Sequence, residues 1–503
     1  GSFGAYLFAH NVDNAGIIRS ATGNITLAAG ASAYLSNRPD GRGLFVEVTA
    51  PTGQATNLKD LIADGGQVSL FGKVVNQSGL IQANSVHQRN GRVELIATDA
   101  VTLADGSRIL AKGDATGVSD GGTVIVKAGM QTGRTDFQKG ALIDVSGSTQ
   151  GGNGGFIELS ASKVTWEGAF RAHALSGYQG GKLLIDPAFT DNPVTTAALN
   201  RFAGSGLNDI EFQSRIGQDL LVTARYDLGE SWVLPVGQIG ILRFNAGRDL
   251  LLSNARITNG ERGQGLSNTR WNYELFANQH IEVNGSVLST GSGGSITMEA
   301  GRNPALFGDI RLVQSGSAGN QQPVVETFGG DITITTNRDL IAPSGVFGQS
   351  GSAVVSGIRL NEAGNLTLNV GRDFLGGTAG NSKVGPGFLL ANGTATVNVG
   401  TNVGSGAGQN PSGGNVGSSD AYTNLTLGGG TFDLDGNLTG AFKQKVTVNA
   451  PGHIYWGVMQ DRGLVEDLSG FGLQYITAHP DSSVTLTSSG GDIFLKPLLP
   501  SNP

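Results

Sequence analysis

The sequence predicts an all-β protein: a parallel β-helix (β-solenoid) with loop insertions and one short helix near 195–203. Three observations predict it. The first is composition. Glycine fills 81 of 503 positions against 15 prolines, with 38% apolar residues and a net charge of −7. That is more than twice the ordinary glycine usage, and so much Gly, Thr, Ser, Asn and Val opposes helix. Apolar residues are too plentiful, and net charge too small, for a disordered chain. The second is a pattern, Gly-x-aliphatic-x-apolar, beginning at Gly23, Gly66, Gly91, Gly122, Gly155, Gly181, Gly294, Gly308, Gly330, Gly364 and Gly491. Thr, Ser or Glu commonly stands between its apolar residues, the period-2 alternation of a strand with one buried face. The third is a fixed offset. Six residues after Leu242, Ile332 and Leu366 come Arg248, Arg338 and Arg372, each followed by an aspartate. A multidomain β-sandwich also alternates and turns on glycine, but it has no reason to keep that offset.

In chain order, 1–187 reads as a first solenoid block. Its units pair a Gly-led strand with a second apolar pair, a turn and a third short run, as in VVNQSGLIQA at 74–83 and VTLADGSRILA at 101–111. One such unit cannot bury its apolar face alone and must stack on the next, at roughly 25–30 residues per coil. Glycine is expected at corners with positive φ. Residues 188–235 interrupt the rhythm as an irregular connector, in which Thr195 to Phe202 has the hydroxyl cap and apolar spacing of a short helix. A second block, 236–495, carries the Gly-Arg-Asp units. Ile296 to Arg302 keeps the offset with Asn303 in place of Asp, and Gln279-His280-Ile281 reads as a degenerate unit. The low-complexity stretch 404–420 is expected as a mobile loop. The proline-rich tail 496–503 cannot continue a ladder.

Chemistry-bearing residues are sparse. No cysteine is present, which excludes disulfides and thiolate sites. The histidines at 10, 87, 173, 280, 453 and 479 have no ligand spacing to one another, so no metal and no cofactor is expected. His280 and His453 fall where the repeat places aspartate, and a turn hydrogen bond is their expected role. Asp433 to Asn437 lacks the glycine and glutamate positions of an EF-hand loop. Arg248, Asp249, Arg338, Asp339, Arg372 and Asp373 recur coil after coil, so they are expected as structural repeat turns, with Asp capping a corner and Arg covering the next coil. No catalytic residue is assigned. A polysaccharide-cleaving β-helix would need carboxylates clustered from distant coils, which a sequence does not reveal. Trp271, Tyr273, Tyr455 and Trp456 are candidate ligand-contact aromatics. Asn24, Asn76, Asn284, Asn365, Asn392, Asn424 and Asn437 open Asn-x-Ser/Thr sequons and are candidate glycan acceptors. Basic residues form no run or stripe, so no nucleic acid is expected as a partner. No apolar stretch is long enough to span a membrane as a helix.

The run from Val75 to Pro187, with GRVELIATDAVTLADGSRILAKGD, GGTVIVKAG, GGNGGFIELSA and GGKLLIDP, resembles the filamentous-haemagglutinin-like large exoproteins (adhesins) of two-partner secretion systems. The AGRDL-type units of the later half are similar to the haemagglutinin repeats of that family. The resemblance implies a right-handed β-helix exported through an outer-membrane β-barrel transporter to the cell surface or exterior of a Gram-negative bacterium. It also implies a structural shaft for adhesion, aggregation or biofilm matrix, with self-association end to end or side by side, surface glycans or exopolysaccharide as partners, and Asn-linked sugars in some members. The alternatives are a polysaccharide-cleaving enzyme or the stalk of a contact-dependent toxin. No signal peptide and no Asn-Pro-Asn-Gly secretion motif occurs, so the chain is expected to be an internal or processed shaft of a longer protein.

Overall fold

The period-2 alternation becomes strands whose inward residues stack coil upon coil. A computed structural model describes residues 4–37, 44–86, 89–187, 193–259, 269–313, 323–343, 357–379, 382–401, 413–419, 422–427, 431–432, 438–440, 443–461 and 481–495. The protein is nearly all β, with parallel pairing between coils, and is a parallel β-solenoid. Two short helices are described, Thr196–Asn200 and Leu228–Ser231. The first lies where the sequence predicts one. The chain divides into two compact units. Unit one comprises Gly1–Asn192, Ala197–Arg215 and Ser231–Arg243; unit two comprises Pro193–Thr196, Ile216–Glu230 and Phe244–Pro503. Residues 188–235, expected as a connector, therefore contribute to both units, and strands Leu207–Gln213, Leu220–Val222 and Arg225–Asp227 continue the ladders.

Unit one has three strands per coil. On the first face, Ile25, Val68, Val93, Val124, Ile157, Leu183 and Ile210 are register partners in succession, all fully buried. On the third, Leu61, Ile81, Ile109, Ile143 and Phe170 do the same. Parallel coils put each aliphatic side chain directly over its equivalent, so one pattern repeated builds a continuous core. The second face mixes chemistry: Asn14, Asn57 and Gln77 stack in the interior before Leu103, Phe137 and Trp166 replace them. Asn14 Nδ2 donates to Asn57 Oδ1 at 2.8 Å and Asn57 Nδ2 to Gln77 Oε1 at 2.8 Å, so the buried amides satisfy one another. An aromatic cluster follows. Phe170 packs on Phe137 at 5.1 Å and on Phe202 at 5.6 Å, and Phe202 lies 6.1 Å from Trp232.

The repeat glycines serve a different purpose from the one expected. None of Gly66, Gly122, Gly155 and Gly330 has positive φ. A Cβ at Gly330 would sit 1.8 Å from the carbonyl oxygen of Gly294 one coil away, and one at Gly155 would sit 2.0 Å from that of Gly122. Close backbone approach between coils demands these glycines. Before two of them, Gly66 and Gly330, the preceding glycine takes the positive φ, Gly65 (71°) and Gly329 (85°). Two members of the pattern, Gly308 and Gly491, lie at a different corner, described next.

Candidate functional site

One corner column of polar residues runs through the described coils of unit two. Each coil there enters a short strand, and the residue just before it is in turn Asp219, Asp249, His280, Asp309, Asp339, Asp373, Asn415, His453 and Asp492. The strands they precede are register partners: Leu220, Leu250, Ile281, Ile310, Leu340 and Phe374. Val416 and Ile454 extend that row. Each side chain in the column from Asp219 to His453 accepts the backbone N–H of its successor. Asp219 Oδ1 takes the N–H of Asp249 (3.2 Å), Asp249 that of His280 (2.9 Å) and His280 Nδ1 that of Asp309 (3.0 Å). Asp309 takes Asp339 (3.2 Å), Asp339 takes Asp373 (3.2 Å) and Asp373 takes Asn415 (2.7 Å). Asn415 takes His453 (2.8 Å), and His453 Nδ1 takes Asp492 (2.9 Å). A corner needs a short side chain with an acceptor atom two bonds beyond Cβ, and Asp, Asn and the Nδ1 of His all supply one. Both histidines must therefore carry their proton on Nε2.

Arginine closes the column from outside. Arg248 forks onto Asp219 with two bonds of 2.6 Å; Arg338 binds both carboxylate oxygens of Asp309, and Arg372 those of Asp339. The direction corrects the expectation: each arginine reaches back to the aspartate of the preceding coil. Such bidentate pairs fix register as well as energy. Arg302 and Asn303 do not occupy the slot, although their offset matches. That coil carries six extra residues, and Gly308-Asp309 stands at the corner instead. Arg302 lies over the ring of Phe276 at 4.6 Å, beside Glu299.

The electrostatics follow from these partners. Burial would raise the Asp309 carboxyl, but Arg338, Arg311 and the N–H of Asp339 outweigh it and hold it at about 2. Asp373 is pushed up, by burial first and then by the charge of Asp339. The corner above it has Gly414 in place of an arginine, which accounts for the difference. His280 is pushed down, by burial first, against the pull of Asp309 and Asp249. In unit one, burial raises Asp186 to about 6, with Arg215 opposing and Glu158 and Glu211 adding to the rise.

The candidate aromatics separate into two kinds. Trp271 and Tyr273 are fully buried in the core, and the hydroxyl of Tyr273 donates to the carbonyl of Ser289 at 3.0 Å, so neither presents a ring to a ligand. Trp456 is also buried and lines an apolar void with Phe374, Phe388, Val397, Val416 and Val448. Tyr455 alone is half-exposed; it stacks on Phe494 at 4.9 Å and meets Tyr422 edge-on at 5.6 Å. Alternation carried the information: Trp271 and Tyr273 hold inward positions of Arg270–Ala277. Among the sequons, Asn24 is buried and its Oδ1 accepts the N–H of Gln67. Asn76, Asn284 and Asn392 are half-buried, and exposed Asn365 bonds Asp331 and Thr394. Asn437, His87, His479, the tail 496–503 and loop residues 404–412 lie outside the described residues, as does the side chain of Asn424. Residues 413–419 of that loop are described, and 420 is not: Val416 is buried and bridges Phe374 to Ile454.

Among the described residues, no three of His, Cys, Asp and Glu gather as a metal site. No known family model, no curated protein and no solved structure matches this chain.

Proposed function

We propose that this chain is the non-enzymatic structural shaft of a secreted cell-surface adhesin or extracellular fibre of a Gram-negative bacterium. In this reading it serves adhesion, aggregation or biofilm matrix. The supporting observation is how its most regular polar groups are used. Asp, His and Asn along the corner column of unit two each bond the next coil, and the arginines clamp the coil before. Such groups resist separation of coils and leave little reactive capacity at that corner. Reach and stiffness are then the product of the fold. Export through an outer-membrane β-barrel transporter, self-association, and contacts to surface glycans or exopolysaccharide belong to the same proposal.

The test is retention of beads coated with the purified chain on bacterial lawns and on immobilised exopolysaccharide under flow. Retention at least several-fold above albumin-coated beads is expected. Retention at the albumin level removes the adhesin reading. Release of reducing or unsaturated ends from acidic polysaccharides would replace it with the enzyme reading.

A further inference from the structure

One outward face of unit two carries a regular rank of threonines. Thr297, Thr333, Thr367, Thr396, Thr447 and Thr485 are register partners on six successive strands. Two residues along each strand runs a second column, Glu299, Thr335, Asn369, Asn398, Asn449 and Thr487. Its asparagines link to one another, Asn398 Nδ2 to Asn369 Oδ1 and Asn449 Nδ2 to Asn398 Oδ1, both at 3.1 Å. None of the six ranked threonine hydroxyls bonds another described residue. They are half-exposed or exposed, and Glu299 is the only charge in the two columns.

We infer that this face binds the surface of an ice crystal, through water ordered on the ranked hydroxyls. The inference does not rest on the adhesin reading. Parallel strands fix neighbouring threonines about 4.8 Å apart and the two columns about 6.7 Å apart. Those two spacings approximate the oxygen repeats on prism faces of hexagonal ice. Threonine is stiff at χ1, so its hydroxyl and methyl keep one orientation along the rank. The methyls flank a trough in which a water holds two anchoring hydroxyls, and the sheet has already ordered those anchors before contact. A face with a single charge in its two columns, at Glu299 on the first strand, suits a neutral lattice. A polyanionic or polycationic partner would find no complement here. A second copy packed face to face is disfavoured by size, because six strands by two columns offer roughly 390 Å², well below the roughly 800 Å² per partner of a stable interface.

The test uses the full chain in a freezing-hysteresis and ice-shaping assay beside two variants. Thr367→Lys/Thr396→Lys breaks the rank at its centre, and Thr102→Lys places the same residue on the outer surface of unit one. Circular dichroism melts establish that all three fold alike. Wild type and T102K should facet ice and show hysteresis, and the double variant should lose at least tenfold of it. Hysteresis in wild type no greater than in albumin at equal mass concentration overturns the inference, as does full activity in the double variant. Rank-dependent binding to microcrystalline cellulose without any effect on ice overturns it too, making the face a glycan dock.

Discussion

Removal of the Asp309 carboxylate is the sharpest probe of the corner column. That side chain is 1% exposed and receives Arg338 through both oxygens, Arg311 at 2.5 Å and the N–H of Asp339 at 3.2 Å. Asp309→Ala leaves two guanidinium groups and one backbone N–H without their acceptor. Breaking a buried ion pair costs about 3–5 kcal/mol; because Arg338 retains some contact with water, the lower end, about 3 kcal/mol, applies. Amide hydrogen exchange across 309–341 reads this locally, where whole-chain melting of a repeat protein is not a single transition. Protection should fall by roughly 150-fold at pH 7, while peptides from Phe156–Ser160 in unit one stay unchanged. The sign with pH is fixed by the depressed carboxyl. Its contribution is present above the unfolded value of 3.8 and is lost as pH falls toward about 2. After correction for intrinsic exchange, wild type and variant should therefore converge between pH 4 and pH 2. Protection in D309A within threefold of wild type at pH 7 would refute the claim that the column holds the coils together. The same substitution at Asp219, whose partner Arg248 is half-exposed and screened by water, should lower protection clearly less.

Three further outcomes follow from the geometry. Gly330→Ala, whose new methyl would meet the Gly294 carbonyl at 1.8 Å, should lower local stability by more than about 2 kcal/mol; Gly329→Ala, strained only by its φ, should cost about 1 kcal/mol in the same exchange experiment. Trp271→Ala empties a fully buried site and should cost about 3–5 kcal/mol, with limited proteolysis appearing first near that coil; unchanged proteolysis would mean the ring is not core. Asp186→Asn should stabilise unit one at pH 8 and make little difference at pH 4. The raised carboxyl gives stability that is complete below 3.8 and lost as pH rises through about 6, and a variant that is less stable at pH 8 contradicts the assignment.

The fold and its period were legible because a solenoid writes its core in short-range order. Alternation in GDITI or GRVEL already states which side chains face inward, and parallel stacking makes each coil's pattern a copy of the last. The same alternation, followed strictly, would have placed Trp271 and Tyr273 inside. The six-residue offset located Arg248, Arg338 and Arg372, and the shared slot located His280 and His453, because the column asks only for one acceptor atom at a fixed point. Sequence spacing misled at Arg302, where an insertion moved the corner to Gly308-Asp309 while leaving the motif behind. No local signal marks an insertion inside a loop.

Tertiary structure alone decided what each glycine is for and where each charge points. Whether Gly330 is needed for its φ or for the carbonyl of Gly294 depends on an atom 36 residues away. Whether Arg338 reaches forward or back depends on which coil offers two carboxylate oxygens, and that is settled only when the coils are stacked. The rank of threonines belongs to the same class. Each is an ordinary outward residue of its own strand, and only the parallel register, which is set by the buried aliphatic rows, aligns them into a lattice. Patterns within one coil are fixed by the chain's own sequence; relations between coils are fixed by packing, because they join atoms that the chain brings together only on folding.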